Sequence, residues 1–494
     1  MEDEITTLPW PCFQYGQEDL EARSREPVIY EREYFHFNHL YCGAETLRQY
    51  AGLPEGRPVP WAMQTVIRYV DPPTGHSALS GEMPDGVRKI RDSHMPFVFP
   101  IDEVRAAELR RVGVEGVSEI GATFHYARKL YRRKGMESAP IKRRGTIALP
   151  DKSDLGKLVD FDREAYAEKL AALPEEFHPV YVSMHWRDYE RGCHEPYLKA
   201  GLTMVCAGHP HDPLFYERLY DTFRHFTYSC SNEISTSFGL SVLSGCRFFF
   251  LDGGNVTIQR ANGVFYEGAE PTLDLPEQKV CVEASPYPPN DDGGSLQREL
   301  AARYSGEHLV KSPEFFRDRW KEGLDALSSR VNESDLILDC EESYRAFMNW
   351  LPYGFDRDGW AEMDCGLELP ARSVQDRIEI TFEFLYIPSE NEGQAFTMTF
   401  DHDPATASRF AIKGATLTVE IPLRTDGHRR EISFTGPRSV KVGEETRERS
   451  FRLAQIRWRP SISPEKSGGT GSKFQTWWNR FAKSDRRRNG EAEQ

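Results

Sequence analysis

Between Pro179 and Gly254 the chain alternates short apolar runs with segments of helical periodicity. Val180–Met184, Thr203–Ala207 and Arg247–Leu251 are strand-like, and each stops at a polar cluster or a glycine. Near-continuous apolar strands joined by helical segments are the pattern of a parallel sheet covered on both faces. Each polar cluster then falls at the carboxyl end of a strand, the edge at which open α/β sheets bind ligands. Gly145–Pro150 reads as the strand that opens this unit.

The same reading makes Phe226–Ser229 a strand and Phe238–Ser244 a short helix that Gly245 ends. Phe215–Phe226 has helical periodicity, with Pro213 suited to the first helical position. In the first half, Trp61–Ile67 and Val114–Ile120 read as strands, the second followed by a glycine turn and a helix. After residue 340 the period changes. Arg377–Tyr386 alternates apolar and polar residues, and Phe396–Phe400 and Thr416–Leu423 do so more loosely, the mark of half-buried strands. These patterns predict two α/β units over 1–150 and 151–335 and an all-β antiparallel sandwich over 340–462. A Ser/Gly linker at 463–472 and a basic amphipathic tail at 473–494 follow.

The length fits this division: 494 residues at roughly 150 per domain is about three domains. No run approaches the roughly 18 apolar residues of a membrane span, and the acidic start MEDEITTLPW has no apolar h-region. Nine cysteines at irregular spacing, none in a CxxC pair, fit reduced thiols. A cytoplasmic protein is expected. The net charge of −15 excludes general nucleic-acid binding. Arg128–Arg144 goes against that balance and reads as a solvated basic face. In the tail, Phe474, Trp477, Trp478 and Phe481 share a helical face flanked by basic residues. Residues 473–488 are therefore expected on an anionic membrane surface, peripheral to the inner membrane face; a packed or partner-bound helix is the alternative.

Three clusters carry chemistry. Ser231 and Asn232, with Ser235, Thr236 and Ser237, gather where a strand ends and a helix begins. Hydroxyls and free amides there suit a phosphate or diphosphate; ordinary capping accounts for one hydroxyl. In AGHPHDP, Gly208 admits close backbone approach, His209 is a phosphate or charge contact, and Asp212 is a cap, a partner of His209 or a base. His209, His211 and Asp212 are metal-ligand types, but their spacing matches no specific zinc pattern, and no metal is expected. In SMHWRDY, His185 and Asp188 lie past another strand end, Asp188 as a helix cap. In the first half, Glu119 is a candidate general base. His125 and Tyr126 are placed toward a cleft between the units, and Gln64 lies near a further strand end.

Together these residues resemble a bacterial family of GT-B-type glycosyltransferase-like proteins of surface polysaccharide biosynthesis. The resemblance rests on Met184–Tyr189, Gly201–His209, Asp212–Leu219, Ser231–Ser237 and Ile120–Tyr126, and spans roughly residues 35–330. Gln64-Thr65-Val66 stands where such proteins often have Gln-His-Gly, and Ser235 replaces the turn glycine. The resemblance implies two Rossmann-like domains facing a cleft, with a nucleotide-sugar bound by the second and a glycan or lipid-linked glycan acceptor against the first. It implies no metal and no cofactor. The donor contacts would be His185, Gly208, His209, Asp212, Arg218, Ser231, Asn232, Ser235, Thr236 and Ser237. Glu119, His125 or Asp188 would be the base, and Gln64 and Tyr126 would lie on the acceptor side. Gly208–Pro210 also resembles the His-Pro element of transferases that use CMP-sugars. A non-catalytic carbohydrate-binding or scaffold protein, and an unrelated α/β enzyme such as an epimerase, remain the competing readings.

Overall fold

The protein was analysed as a computed structural model, which describes residues 38, 40–54, 59–64, 87, 90–91, 95–137, 141–153, 157–185, 188–189, 191–208, 212–260, 265–268, 276–289, 293–328, 337–339, 353–355, 360–369, 377–386, 395–401, 403–411, 416–422, 430–436, 440–441, 448–449 and 451–460. His209, His211, Trp186, the linker and the tail lie outside these residues.

The first unit contains α1 (Gly43–Ala51), β1 (Trp61–Gln64), β2 (Phe97–Pro100), α2 (Glu103–Arg111) and α3 (Thr123–Arg133). β1 and β2 pair in parallel. The segment expected as a strand over Val114–Ile120 forms one parallel bridge, Val98 to Val117. It stays beside β2 through backbone bonds such as Ser118 N–H to Val98 O (2.9 Å) and Ile120 N–H to Pro100 O (3.0 Å). α3 carries two apolar stripes. Tyr126 and Leu130 pack with Tyr50, Trp61 and Phe99 in the first core. Phe124, Ala127 and Tyr131 enter the core of the second unit.

In the second unit β3 (Thr146–Ala148) is followed by β4 (Lys157–Phe161), α4 (Arg163–Ala171), β5 (Val180–Ser183), α5 (Glu195–Lys199) and β6 (Thr203–Val205). Then come α6 (Phe215–Arg224), β7 (Tyr228–Ser231), α7 (Thr236–Leu243) and β8 (Arg247–Phe250). Five strands form one sheet in the order β6-β5-β3-β7-β8, every pair parallel. The sheet thus starts in the middle, runs to one edge, returns and runs to the other. The reversal between β3 and β7 is the topological switch point of a doubly wound sheet. Alternation sorts the side chains: Ile147, Tyr181, Val205 and Phe248 face α6 and α7. Ala148, Val180, Val182, Met204 and Phe249 face α4 and α5. The strand read as Phe226–Ser229 begins two residues later, and α6 begins at Phe215, so Pro213 precedes the helix.

β9 (Val256–Arg260) and β10 (Phe265–Gly268) complete an antiparallel ribbon with β4. Its strands follow the carboxyl ends of β3 and β8, and no sequence pattern announced it. α8 (Pro276–Glu283), α9 (Gly293–Tyr304) and α10 (Pro313–Ser328) follow. α9 joins the second core through Leu300, Ala301 and Tyr304. α10 returns to the first unit: Phe316 is fully buried against Tyr50, Trp61, Phe99 and Tyr126, and Arg317 Nη1 donates to Ala51 O (2.9 Å).

β11 (Ile337–Asp339), β12 (Tyr353–Phe355), β13 (Trp360–Leu369), β14 (Arg377–Tyr386), β15 (Ala395–Phe400), β16 (Asp403–Ala411), β17 (Thr416–Pro422), β18 (Arg430–Thr435) and β21 (Phe451–Pro460) make one antiparallel sheet; β19 (Val440–Lys441) and β20 (Glu448–Arg449) pair separately. The path runs β16-β15-β18-β13-β21-β14-β17. Phe382 on β14 and Phe434 on β18 stand three positions apart in that order, yet their ring centroids are 5.1 Å apart.

Candidate functional site

The switch point is built from three strand ends. Leu149 N–H donates to Cys230 O (2.8 Å) and Ser231 Oγ–H to Leu149 O (2.5 Å). Asp151 N–H donates to Asn232 Oδ1 (2.7 Å). The loops after β3 and β7 are thereby locked side by side. Ser231 is fully buried and also accepts from Glu233 N–H (3.1 Å). It is a structural tie, not an open phosphate ligand. Asn232 sits under the loop after β8, where a Cβ on Gly253 would lie 2.5 Å from Asn232 Nδ2.

Ser235 has an extended backbone (φ −129°) and caps α7, its side chain accepting from Ser237 N–H (3.3 Å). That uses one hydroxyl. Ser235, Thr236 and Ser237 are all half-buried at the helix N-terminus. The helix N-terminus brings partial positive charge to the strand edge, while its Ser237 and Phe238 amides donate to Ser235 Oγ and Ser235 O. Lys152, in the loop after β3, is half-buried and forms no ion pair among the described residues. The pattern Pro-Asp-Lys-Ser directly after a strand was its signal in the sequence.

The remaining donor-side candidates have protein partners. Asp212 Oδ1 accepts from Leu214 N–H (2.8 Å), and its Oδ2 pairs with Arg218 Nη1 (2.6 Å), which also donates to Ala207 O (3.3 Å). Asp212 and Arg218 therefore clamp the turn from β6 into α6. Gly208 in that turn has φ +97°, a conformation that glycine alone adopts without strain. His185 offers its carbonyl to Asp188 N–H and Tyr189 N–H, both at 3.1 Å.

Asp188 is 2% exposed. It accepts from Ser153 N–H (2.9 Å) and Arg191 Nη1 (3.3 Å), with Arg163 Nη2 at 3.9 Å. Arg191 continues to Ser153 Oγ (2.9 Å) and Val159 O (3.2 Å). The resemblance implied Asp188 as a base; its geometry is that of a buried clasp holding the β3–β4 loop to the end of β5. Ser153 and Arg163 lie far from Asp188 in sequence; Arg191 lies one helical turn after it.

The first-unit candidates meet a similar outcome. His125 and Tyr126, expected at a cleft, are buried. His125 Nε2 bonds Ser305 Oγ (2.9 Å), and burial, opposed by Glu307, pushes its pKa down to about 4. Tyr126 Oη–H donates to Ile120 O (2.5 Å) and accepts from Lys311 N–H (3.0 Å). Burial pushes the Glu119 carboxyl up, but Arg110, at 2.7 Å, outweighs it and holds the group below the ordinary carboxylate value. That weakens it as a base. Gln64 ends β1 with a buried, unpartnered Oε1. Lys129, Arg132, Arg133, Lys134 and Lys142 of the basic run are exposed, and several of its residues also make pairs or bonds. Lys134 pairs with buried Glu217 (2.6 Å), Arg132 with Glu137 (2.5 Å), and Arg143 Nη2 donates to Ser244 O (2.5 Å).

Among the described residues no helix is long and apolar enough to cross a membrane, and the seven described cysteines form no disulfide.

No family model matches the chain, and no curated protein matches it. Solved structures are similar only at low scores. A family 35 carbohydrate-binding module from Clostridium thermocellum is 9% identical over 20% of this chain and 73% of its own, with a TM-score of 0.15. A family GH115 4-O-methyl-α-glucuronidase with specificity for decorated arabinogalactans is 10% identical over 38% of this chain, TM-score 0.18; this chain covers 29% of it. A two-domain esterase active on acetylated mannans is 7% identical over 69% of this chain and 97% of its own, TM-score 0.15. At these scores the likenesses carry no argument about fold or activity.

Proposed function

We propose that the chain is a metal-independent GT-B glycosyltransferase that moves a sugar from a nucleotide-sugar to a glycan or lipid-linked acceptor. One observation carries the reading: the order β6-β5-β3-β7-β8 puts a switch point beside the N-terminus of α7. The first parallel pair, β1 and β2, would be the remnant described here of an acceptor-side Rossmann-like domain. The close approach of Phe382 and Phe434 across the order of the large sheet fits a two-layer sandwich, since neighbouring strands stand about 4.8 Å apart and three steps would separate them by much more.

In this reading the diphosphate lies over the positive end of α7, held by the Ser237 hydroxyl and by Lys152. The acceptor hydroxyl oxygen bonds the anomeric carbon as the carbon–diphosphate bond breaks. The bond pair leaves with the nucleoside diphosphate, whose charge the helix terminus stabilises. The hydroxyl proton needs a base. His125, Asp188 and Glu119 all have protein partners, Glu119 being the most exposed of the three at 19%.

That engagement favours a second reading, a non-catalytic carbohydrate-binding or scaffold protein of GT-B shape. Calorimetry with UDP, GDP, dTDP and CMP, followed by turnover assays of the matching sugar nucleotides, separates the two. Binding with transfer supports the enzyme, binding without transfer supports the scaffold, and no binding at millimolar concentration overturns the nucleotide site.

A further inference from the structure

We infer that the two α/β units form one rigid body, which neither hinges between the units nor unfolds one unit at a time. The inference does not depend on the nucleotide reading. Two domains of one chain usually meet through a modest, rather polar surface and move against each other. Here each unit lends the other a helix. α3 belongs to the first unit, yet its Phe124, Ala127 and Tyr131 enter the second core. α10 follows the second unit, yet its Phe316 is buried in the first core. Tyr41, just before α1, stacks on Phe215 and Tyr216 of α6, with ring centroids 5.4 and 5.2 Å away. Rotating one unit against the other would pull these side chains out of close-packed cores. Polar groups close the same joint. Tyr131 Oη–H donates to fully buried Asp221 of α6, and Lys134 pairs with Glu217 (2.6 Å), itself 2% exposed.

A hinge also needs a crossing whose backbone can absorb the motion. The return crossing, Ser305–Lys311, is tied at both ends. α9, just before it, is held to β8 by Gln297, which accepts from Phe248 N–H (3.1 Å) and donates to Phe248 O (2.7 Å). Ala122 N–H then donates to Ser305 O (2.8 Å), and His308 meets Glu103 of α2 (2.9 Å). Lys311 N–H donates to Tyr126 Oη (3.0 Å), and its carbonyl accepts from Tyr50 Oη–H (3.2 Å). Gly306, at φ +62°, passes so close to the end of β2 that a Cβ would lie 2.5 Å from Ile101 O. Ligand entry is therefore left to the loops at the strand ends, without domain closure.

Native-state hydrogen exchange of the full chain against urea tests this. Three sets of amides decide it: those of β1 and β2, those of β3, β5 and β7, and the joint amides of Ala122 and Lys311. All three should exchange through one global opening with the same urea dependence. In Phe316→Ala, protection in β3, β5 and β7 should fall as far as in β1 and β2, by about hundredfold or more. Joint amides that exchange well ahead of the strands, with little urea dependence, would mean that the joint opens, and overturn the rigid body. Protection lost in β1 and β2 alone would mean that the units unfold separately, and overturn it too. If the variant does not fold, the wild-type urea series decides by itself.

Discussion

His125 Nε2 lies 2.9 Å from Ser305 Oγ, tying the first turn of α3 to the residue after α9 across 180 positions of sequence. Glu307 stands 4.0 Å from His125 Nδ1 and pairs with Arg298 (2.9 Å) and Arg128 (3.7 Å). The imidazole is shielded from water and stays neutral far below its usual range. The folded pKa is depressed below the unfolded one, so its contribution to stability is present above pH 6.5 and is lost as pH falls toward 4. In that window each such proton costs about 1.4 kcal/mol per pH unit. His125→Gln keeps a partner for Ser305 and removes the titration. Chemical denaturation between pH 4 and 7 should show a shallower loss for the variant. Part of the slope should remain, because burial beside Arg224 and Arg143 also pushes His225 down to about 4.

Asp188→Ala should cost roughly 1–3 kcal/mol, because it leaves the buried Ser153 amide without its acceptor, while Arg163 keeps Asp160 and Val159 O. Asp188→Asn keeps an acceptor and should cost less. Urea denaturation measures both. An alanine variant of unchanged stability that loses turnover would return Asp188 to the catalytic role that the resemblance implied.

Phe316→Ala should destabilise the first unit by roughly 3–5 kcal/mol, since the ring is wholly buried among Tyr50, Trp61, Phe99 and Tyr126. Leu198→Ala, at a side chain on a residue 53% exposed, should change stability by no more than about 0.5 kcal/mol. Equal effects would mean that α10 does not seal the first core.

Gly121→Ala should cost about 2 kcal/mol or more. The residue has φ +75°, and its Cβ would meet Gly306 O at 2.5 Å. Thermal melting of the variant against wild type checks it.

The parallel sheet was legible because both its faces are covered, which makes each strand a compact apolar run stopped by polar residues. β5, β6 and β8 fall inside the runs read for them, and the α7 cap falls in its serine cluster. The alternation of β14 likewise matched its strand bounds. Other features depend on distant partners. Nothing near Asp188 in sequence reveals Ser153 or Arg163. The burial of His125 is set by Ser305 and Glu307, far along the chain. α10 reads as an ordinary amphipathic helix, and only packing returns it to the first core. The ribbon of β4, β9 and β10 joins segments nearly 100 residues apart. Lys152 escaped notice because one lysine after a strand is common.

Hydrogen exchange of the full chain, with and without each of UDP, GDP, dTDP and CMP, tests the nucleotide site most directly. The account predicts that at least one of them slows exchange of amides 231–240, at the carboxyl end of β7 and the first turns of α7. Protection confined to the antiparallel strands after residue 340, or no change with any nucleotide, would contradict it.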